Sequence, residues 1–232
     1  MQIQVLPDAD AVAKRAAELI AAKARSAVVA RGRFILAVSG GRTPWQMLRS
    51  LGGEDVPWKG VHVVQVDERI APAGDPDRNL THLHESLLGH TPLPPDQIHT
   101  MPVEGTDLEA AAGAYGRTLA QLAGSPPVLD LAHLGLGPDG HTASLVPGDP
   151  VLEVTDQDVA LTGVYRGRRR MTLTYPILNR SRHILWVVTG GEKANALARL
   201  RARDGTIPAG RIHQDGAVLL ADAVAAQSLS GK

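Results

Sequence analysis

Apolar residues fall along this chain in two alternating rhythms. Phe34-Ile-Leu-Ala-Val38, Val61-His-Val-Val-Gln-Val66, Val128-Leu-Asp-Leu-Ala-His-Leu134 and His183-Ile-Leu-Trp-Val-Val188 are short, nearly unbroken apolar runs. Runs of that length predict strands buried on both faces, as in the middle of a parallel sheet. Ile3-Gln-Val5 and Val218-Leu-Leu220 are shorter strands near the two ends, and Ile98-His-Thr-Met101 is a weak one. Between the runs the spacing turns helical. Val12, Ala16, Leu19 and Ile20 share a face behind Pro7-Asp8, with Asp8 as N-cap. Thr43 as N-cap and Pro44 at the first helical position predict a helix through Trp45, Leu48 and Leu51. Further helices are predicted over 79–88, over 107–122, from Gly191 through Leu200, and briefly from Asp222. Beyond Pro150, segments around 159–164 and 171–174 read as strands of a smaller antiparallel unit.

Strands alternating with helices predict an α/β fold, a doubly wound and mostly parallel Rossmann-like sheet, with a small additional β-containing unit near residues 150–175. The whole chain, 1–232, is read as a single α/β domain. Right-handed crossovers then bring Ser39–Thr43, Asp67–Arg69, Gly135–His141 and Gly190–Lys193 to one sheet edge. That convergence predicts one active site.

Composition narrows the chemistry. Lys plus Arg and Asp plus Glu number 24 each, so no global field draws nucleic acid or a membrane, and an anionic ligand needs a local basic cluster. There is no cysteine, which removes disulfides, thiolate metal sites and a Cys nucleophile, and fits a reducing cytoplasm. No apolar run approaches a membrane span and no signal pattern opens the chain. Aromatic residues make up 3%, too few for a base-stacking platform. His82-Leu-His84-Glu85 is the densest histidine cluster, but i and i+2 do not share a helix face, so no metal is expected. A monomer or small homo-oligomer is expected.

The stretch Gly135–Gly148 sets one acid, Asp139, and one imidazole, His141, among glycines at a strand end. The loop Ser39, Gly40, Gly41, Arg42, Thr43 offers backbone N–H groups, a small hydroxyl and a helix N-terminus, the parts of a phosphate site. Gly190-Gly-Glu-Lys193 repeats the arrangement with a lysine in the first turn. Of Arg168-Arg-Arg170, at least one guanidinium is placed to hold a phosphate, against a reading of Arg168 and Arg169 as a solvated basic turn. Asp67-Glu-Arg69 ends a strand and faces the same crevice, or pairs locally. Ala37-Val-Ser-Gly-Gly41 is one residue from a serine-hydrolase elbow, a rival that Thr43-Pro44 argues against.

Four of these motifs, in this order, resemble the 6-phosphogluconolactonase family within the wider glucosamine-6-phosphate isomerase/6-phosphogluconolactonase superfamily. They are Ser39–Pro44, Asp67-Glu-Arg69 with Asn79 downstream, Gly135–Gly148, and Arg170-Met-Thr-Leu-Thr174 with Lys193 after the next strand. The resemblance implies hydrolysis of 6-phospho-D-glucono-1,5-lactone in the pentose phosphate pathway, without a cofactor. It separates the chain from the isomerase/deaminase branch, because Arg69 replaces a Tyr and Val146 replaces a Glu. A non-catalytic sugar-phosphate sensor is the other alternative. The chain departs from the family pattern at Arg78 and across 166–169. In the reaction so implied, neutral His141 deprotonates water, Asp139 orients it, and Arg69 with glycine N–H groups meets the oxyanion. The Ser39–Thr43 loop, Arg170 and Lys193 hold the phosphate, with Asp67 and Asn79 in the same crevice.

Overall fold

The computed structural model describes residues 1–229. In chain order the elements begin β1 (Gln2–Leu6), α1 (Ala9–Arg31), β2 (Phe34–Val38), α2 (Arg42–Gly52), β3 (Val61–Gln65) and β4 (Asp67–Arg69). Next come α3 (Asn79–Ser86), β5 (Ile98–His99), α4 (Leu108–Ala123) and β6 (Leu131–Leu134). The chain continues through β7 (Val159–Leu161), β8 (Arg170–Leu173), α5 (Tyr175–Arg180), β9 (Ile184–Val188), α6 (Ala194–Arg201) and β10 (Val218–Asp222).

Seven strands form a parallel sheet in the order β1-β10-β9-β6-β2-β3-β5. Along β2 the side chains alternate between two cores, as strand geometry requires. Phe34, Leu36 and Val38 share one core with Ala16, Ile20 and Leu48 of α1 and α2, while Ile35 and Ala37 share the other with Leu119, Leu178 and Leu197 of α4, α5 and α6. Both faces are therefore covered, which is why Phe34–Val38 is apolar at every position. Each fully buried Leu, Ile or Phe contributes about 1.5–3 kcal/mol. Asp8 caps α1 as predicted, its Oδ1 accepting from Ala11 N at 2.8 Å.

Three local readings are corrected. Gly41, not Thr43, caps α2: it takes φ 129°, a value open to glycine, and its carbonyl accepts from Trp45 N at 2.9 Å. Asp67–Arg69 is not a strand end but a strand of its own. After Gln65 the chain leaves the main sheet, Val66 N bonding back to Val38 O (2.9 Å) and Val66 O accepting from Leu173 N (2.8 Å). It then pairs antiparallel with β8, giving a three-stranded sheet β4-β8-β7, so the small unit expected near 150–175 borrows a strand from far upstream. The glycine pair at 190–191 opens a single 3-10 turn ending at Lys193, and α6 begins after it. The six-residue α5 falls where no element was predicted, too short to show a period.

Candidate active site

From β2 the chain winds outward through β3 to β5 on one side, then returns to lay β6, β9 and β10 on the other. The crevice beyond β2 and β6 is thus the point where strand order reverses, the customary ligand position in an open α/β sheet. A cavity of about 900 Å³ opens there. Ser39, Gly40, Gly41 and Thr43 line it from the loop after β2, and Asp67, Arg69 and Asn79 from β4 and α3. His141, Arg170 and Lys193 complete the walls. Of the residues expected to catalyse the reaction or bind the substrate, Asp139 alone stands behind the lining.

Asp139 grips His141 from that position. The imidazole Nδ1–H donates to Asp139 Oδ1 at 2.5 Å, and the backbone N of His141 donates to the same oxygen at 3.2 Å. The other carboxylate oxygen accepts from the Tyr165 hydroxyl at 3.1 Å. This arrangement fixes the tautomer and leaves Nε2 as the basic nitrogen. Gly137 makes the packing possible, because a Cβ there would lie 2.0 Å from His141 Nδ1 and 2.7 Å from Asp139 Oδ1. Burial lowers the His141 pKa below its ordinary value, against the opposing pull of Asp139 and Asp67. Burial pushes the Asp139 carboxyl up, but the charge and hydrogen bonds of His141 outweigh it and hold the group below its usual range. Such a pair keeps a neutral imidazole available at physiological pH.

Opposite the histidine lies a polar frame built on β4. Asp67 is buried, its Oδ2 accepting from Ser144 Oγ at 2.6 Å and its backbone carbonyl from Asn79 Nδ2 at 2.9 Å. Asn79 Oδ1 in turn accepts from Arg69 Nη1 at 2.7 Å. Asp67 and Arg69 do not pair with one another; Asn79 bridges them. Beneath them Glu68, fully buried, closes the start of α3 by accepting from Asn79 N and Leu80 N at 2.7 and 2.8 Å. Arg170 is 8% exposed, with Nη1 3.4 Å from Ser144 Oγ. The Nε atoms of Arg69 and Arg170 are buried without a hydrogen-bond partner, so each retains a donor.

The two glycine loops differ more than their sequences suggest. Ser39 donates its hydroxyl to His133 O at 2.9 Å, and its N–H to Nδ1 of the same buried residue at 3.3 Å. Its hydroxyl therefore has no imidazole base, and the serine-hydrolase rival loses its nucleophile. Thr43, freed from capping, joins Thr189 through a 2.5 Å hydroxyl contact. At the second loop the Gly190 N–H is taken by the Asp222 carboxylate (3.1 Å), so Lys193 itself, not a backbone nest, is the donor there. Burial lowers the Lys193 pKa, while Glu192 and Asp222 favour its charge.

Of the arginine cluster, Arg168 is turned away into Asp75 and Asp77 (both 3.0 Å), and Arg169 bonds Thr162 O (3.2 Å). Arg166 and Arg170 line the cavity. Arg78 does not reach the sugar pocket; 2% exposed, it lies beside Glu68 (3.6 Å) and bonds Glu104. Sequence reasoning gave no role to Glu68 and Ser144, although both sit inside the motifs singled out, and it passed over Tyr165 altogether. Among the described residues no group of three or more His, Cys, Asp or Glu side chains is gathered as a metal site needs.

Known proteins resemble this chain in sequence and in fold. The family model described as glucosamine-6-phosphate isomerases/6-phosphogluconolactonase matches residues 7–220. A 6-phosphogluconolactonase of Nostoc is 34% identical over 98% of both chains. Another, from Mycobacterium tuberculosis, is 38% identical over 84% of both. The crystal structure of a 6-phosphogluconolactonase from Thermotoga maritima superposes with a TM-score of 0.85 at 27% identity, over 95% of this chain and 98% of that one. A monomeric glucosamine-6-phosphate deaminase, 20% identical, shares the fold with a TM-score of 0.84. With its doubly wound sheet, its cavity at the β2/β6 switch point and these relatives, the chain belongs to the glucosamine-6-phosphate isomerase/6-phosphogluconolactonase family.

Proposed function

We propose that this chain hydrolyses 6-phospho-D-glucono-1,5-lactone to 6-phospho-D-gluconate, with water as nucleophile and His141 as general base. The observation that carries the reading is the Asp139–His141 pair, set into a cavity whose other walls carry Arg69, Arg170 and Lys193. A lactone is an activated ester, so one base and good oxyanion donors suffice. His141 Nε2 takes a proton from water as the water oxygen bonds to the lactone carbonyl carbon. The carbonyl electron pair moves onto oxygen, where the Arg69 guanidinium and glycine N–H groups that line the cavity are the donors at hand. Collapse breaks the bond to the ring oxygen, which recovers the proton from the imidazolium, and the new carboxylic acid ionises. The α2 N-terminus with Gly40, Gly41 and Thr43, together with Arg170 and Lys193, holds the phosphate and so fixes the carbonyl near His141, while Ser39, tied to His133, lines the wall beside it.

In this reading residues 1–232 work as one catalytic unit in the cytoplasm, as a monomer or small homo-oligomer. An amino-sugar isomerase is disfavoured because the buried Val146 offers no acid–base group. The test is paired. Freshly made lactone is given to the protein and proton release followed above the spontaneous rate; glucosamine 6-phosphate is given in parallel and ammonia measured. Accelerated proton release without ammonia is expected. Ammonia without lactone turnover overturns the proposal.

A further inference from the structure

The hairpin joining β7 to β8 arches to the rim of the cavity. Its tip is a two-residue turn, closed by reciprocal backbone bonds between Tyr165 and Arg168 (3.0 and 3.3 Å), with Arg166 and Gly167 at φ 51° and 80°. On one side Arg168 anchors the tip to Asp75 and Asp77. On the other, the Tyr165 hydroxyl donates to Asp139 Oδ2 at 3.1 Å. The Tyr165 ring stands edge-on to His141, centroids 5.6 Å apart, and its face carries the guanidinium carbons of Arg166 and Arg170 at 5.2 and 5.1 Å.

We infer that Tyr165 is a positioning residue for this site: its hydroxyl sets the strength of the Asp139–His141 couple, and its ring holds Arg166 and Arg170 in the cavity wall. The inference rests on His141 being the general base. A carboxylate has one field to share between its partners. When its second oxygen accepts from a phenol, its charge acts less strongly on the imidazolium, and the histidine remains neutral to lower pH. The other charged groups around the histidine are Asp67 from β4, which favours the imidazolium, and Arg170 from β8, which opposes it. Arg166 faces Tyr165 from the hairpin tip. Burial and the contact with Asp139 both raise the Tyr165 pKa, so the phenol stays a donor throughout the range in which His141 titrates. The ring contributes separately, since cations over an aromatic face are attracted to it.

Two substitutions separate the hydroxyl from the ring. The imidazole of His141 is titrated by NMR in the native protein, Tyr165→Phe and Tyr165→Leu, and kcat and KM for the phosphorylated lactone are measured against pH. Tyr165→Phe is expected to raise the His141 pKa by about half a pH unit. The acid limb of kcat/KM moves up with it, while KM at the plateau stays within about twofold because the ring remains. Tyr165→Leu shows the same pKa shift and raises KM about fivefold through the loss of both ring contacts. An imidazole titration unchanged in Tyr165→Phe overturns the inference, whatever His141 does in catalysis, because that reading is independent of turnover. Equal KM values in the Phe and Leu variants overturn its second half. If His141→Asn were to keep the acid limb, the general-base reading would fail separately from the NMR result.

Discussion

Replacing Glu68 by alanine tests the frame on which the cavity is built. The side chain is fully buried, with Oε1 accepting from Arg69 N (2.8 Å) and Asn79 N (2.7 Å). Oε2 accepts from Leu80 N (2.8 Å) and Gln65 Nε2 (2.9 Å), and lies 3.6 Å from Arg78 Nε. Alanine strands those four donors and leaves the buried guanidinium with only its bond to Glu104. Each buried donor left unpaired costs about 1–3 kcal/mol. Breaking a buried ion pair costs about 3–5 kcal/mol. These terms overlap, and water entering the gap recovers part of them, so a net loss of about 5 kcal/mol is expected. In a domain of this size each kcal/mol moves Tm by about 2–4 °C, which makes the expected fall about 10–20 °C by thermal unfolding followed with circular dichroism. Glu104→Ala is the control: it removes one contact, to Arg78, where Glu68→Ala removes five, and water reaches the 54% exposed Glu104 position, so a loss of about 1–3 kcal/mol is expected. A fall of less than about 4 °C for Glu68→Ala, or an equal fall for Glu104→Ala, refutes the reasoning.

Further outcomes follow from the same geometry. Arg170→Ala and Lys193→Ala are each expected to lower kcat/KM for the phosphorylated lactone about ten- to a hundredfold; unphosphorylated gluconolactone should be indifferent to both, and equal native rates on the two lactones contradict the phosphate grip. Gly137→Ala puts a methyl group 2.0 Å from His141 Nδ1 and so displaces the ring, and kcat is expected to fall about a hundredfold with an unchanged circular dichroism spectrum. His133 is fully buried and its pKa is pushed down to about 3. Between that value and an unfolded value of about 6.5 the unfolded chain binds the extra proton, so stability is present at neutral pH and declines as pH falls through this window. By denaturant titration, the loss between pH 7 and 4.5 should be about 2–3 kcal/mol smaller in His133→Asn than in the native protein; equal losses contradict the assignment.

The sheet was legible because its strands are covered on both faces. Runs such as Phe34–Val38 and Ile184–Val188 are apolar at every position, and the strands end close to where those runs end. Cap chemistry was legible where a side chain does the capping, as at Asp8. It failed at α2, where Gly41 caps through backbone freedom and Thr43-Pro44 gave the stronger local signal. β4 was hidden for a different reason. Three polar residues become a strand only because β8, about a hundred positions later, supplies the partner edge, and no local pattern carries that information. The site followed the same division. Its members at strand ends could be placed from topology, while Glu68, Ser144 and Tyr165 owe their positions to hydrogen bonds across three different segments.

The central claim, that His141 is the base of a lactone hydrolysis, is tested most directly by kcat/KM (free enzyme) and kcat (complex) against pH for the native protein and His141→Asn, with spontaneous lactone opening subtracted. Burial lowers the His141 pKa, so the native acid limb in the free enzyme is expected below the ordinary histidine value, with activity lost as pH falls through it. A bound phosphate favours the imidazolium and should move the limb upward in the complex. His141→Asn is expected to lose about 10²–10⁴ in kcat and to lose the acid limb, with KM changed far less because the phosphate contacts remain. A variant that keeps the limb and loses less than about tenfold contradicts the claim, and makes Asp67 the next candidate for the base.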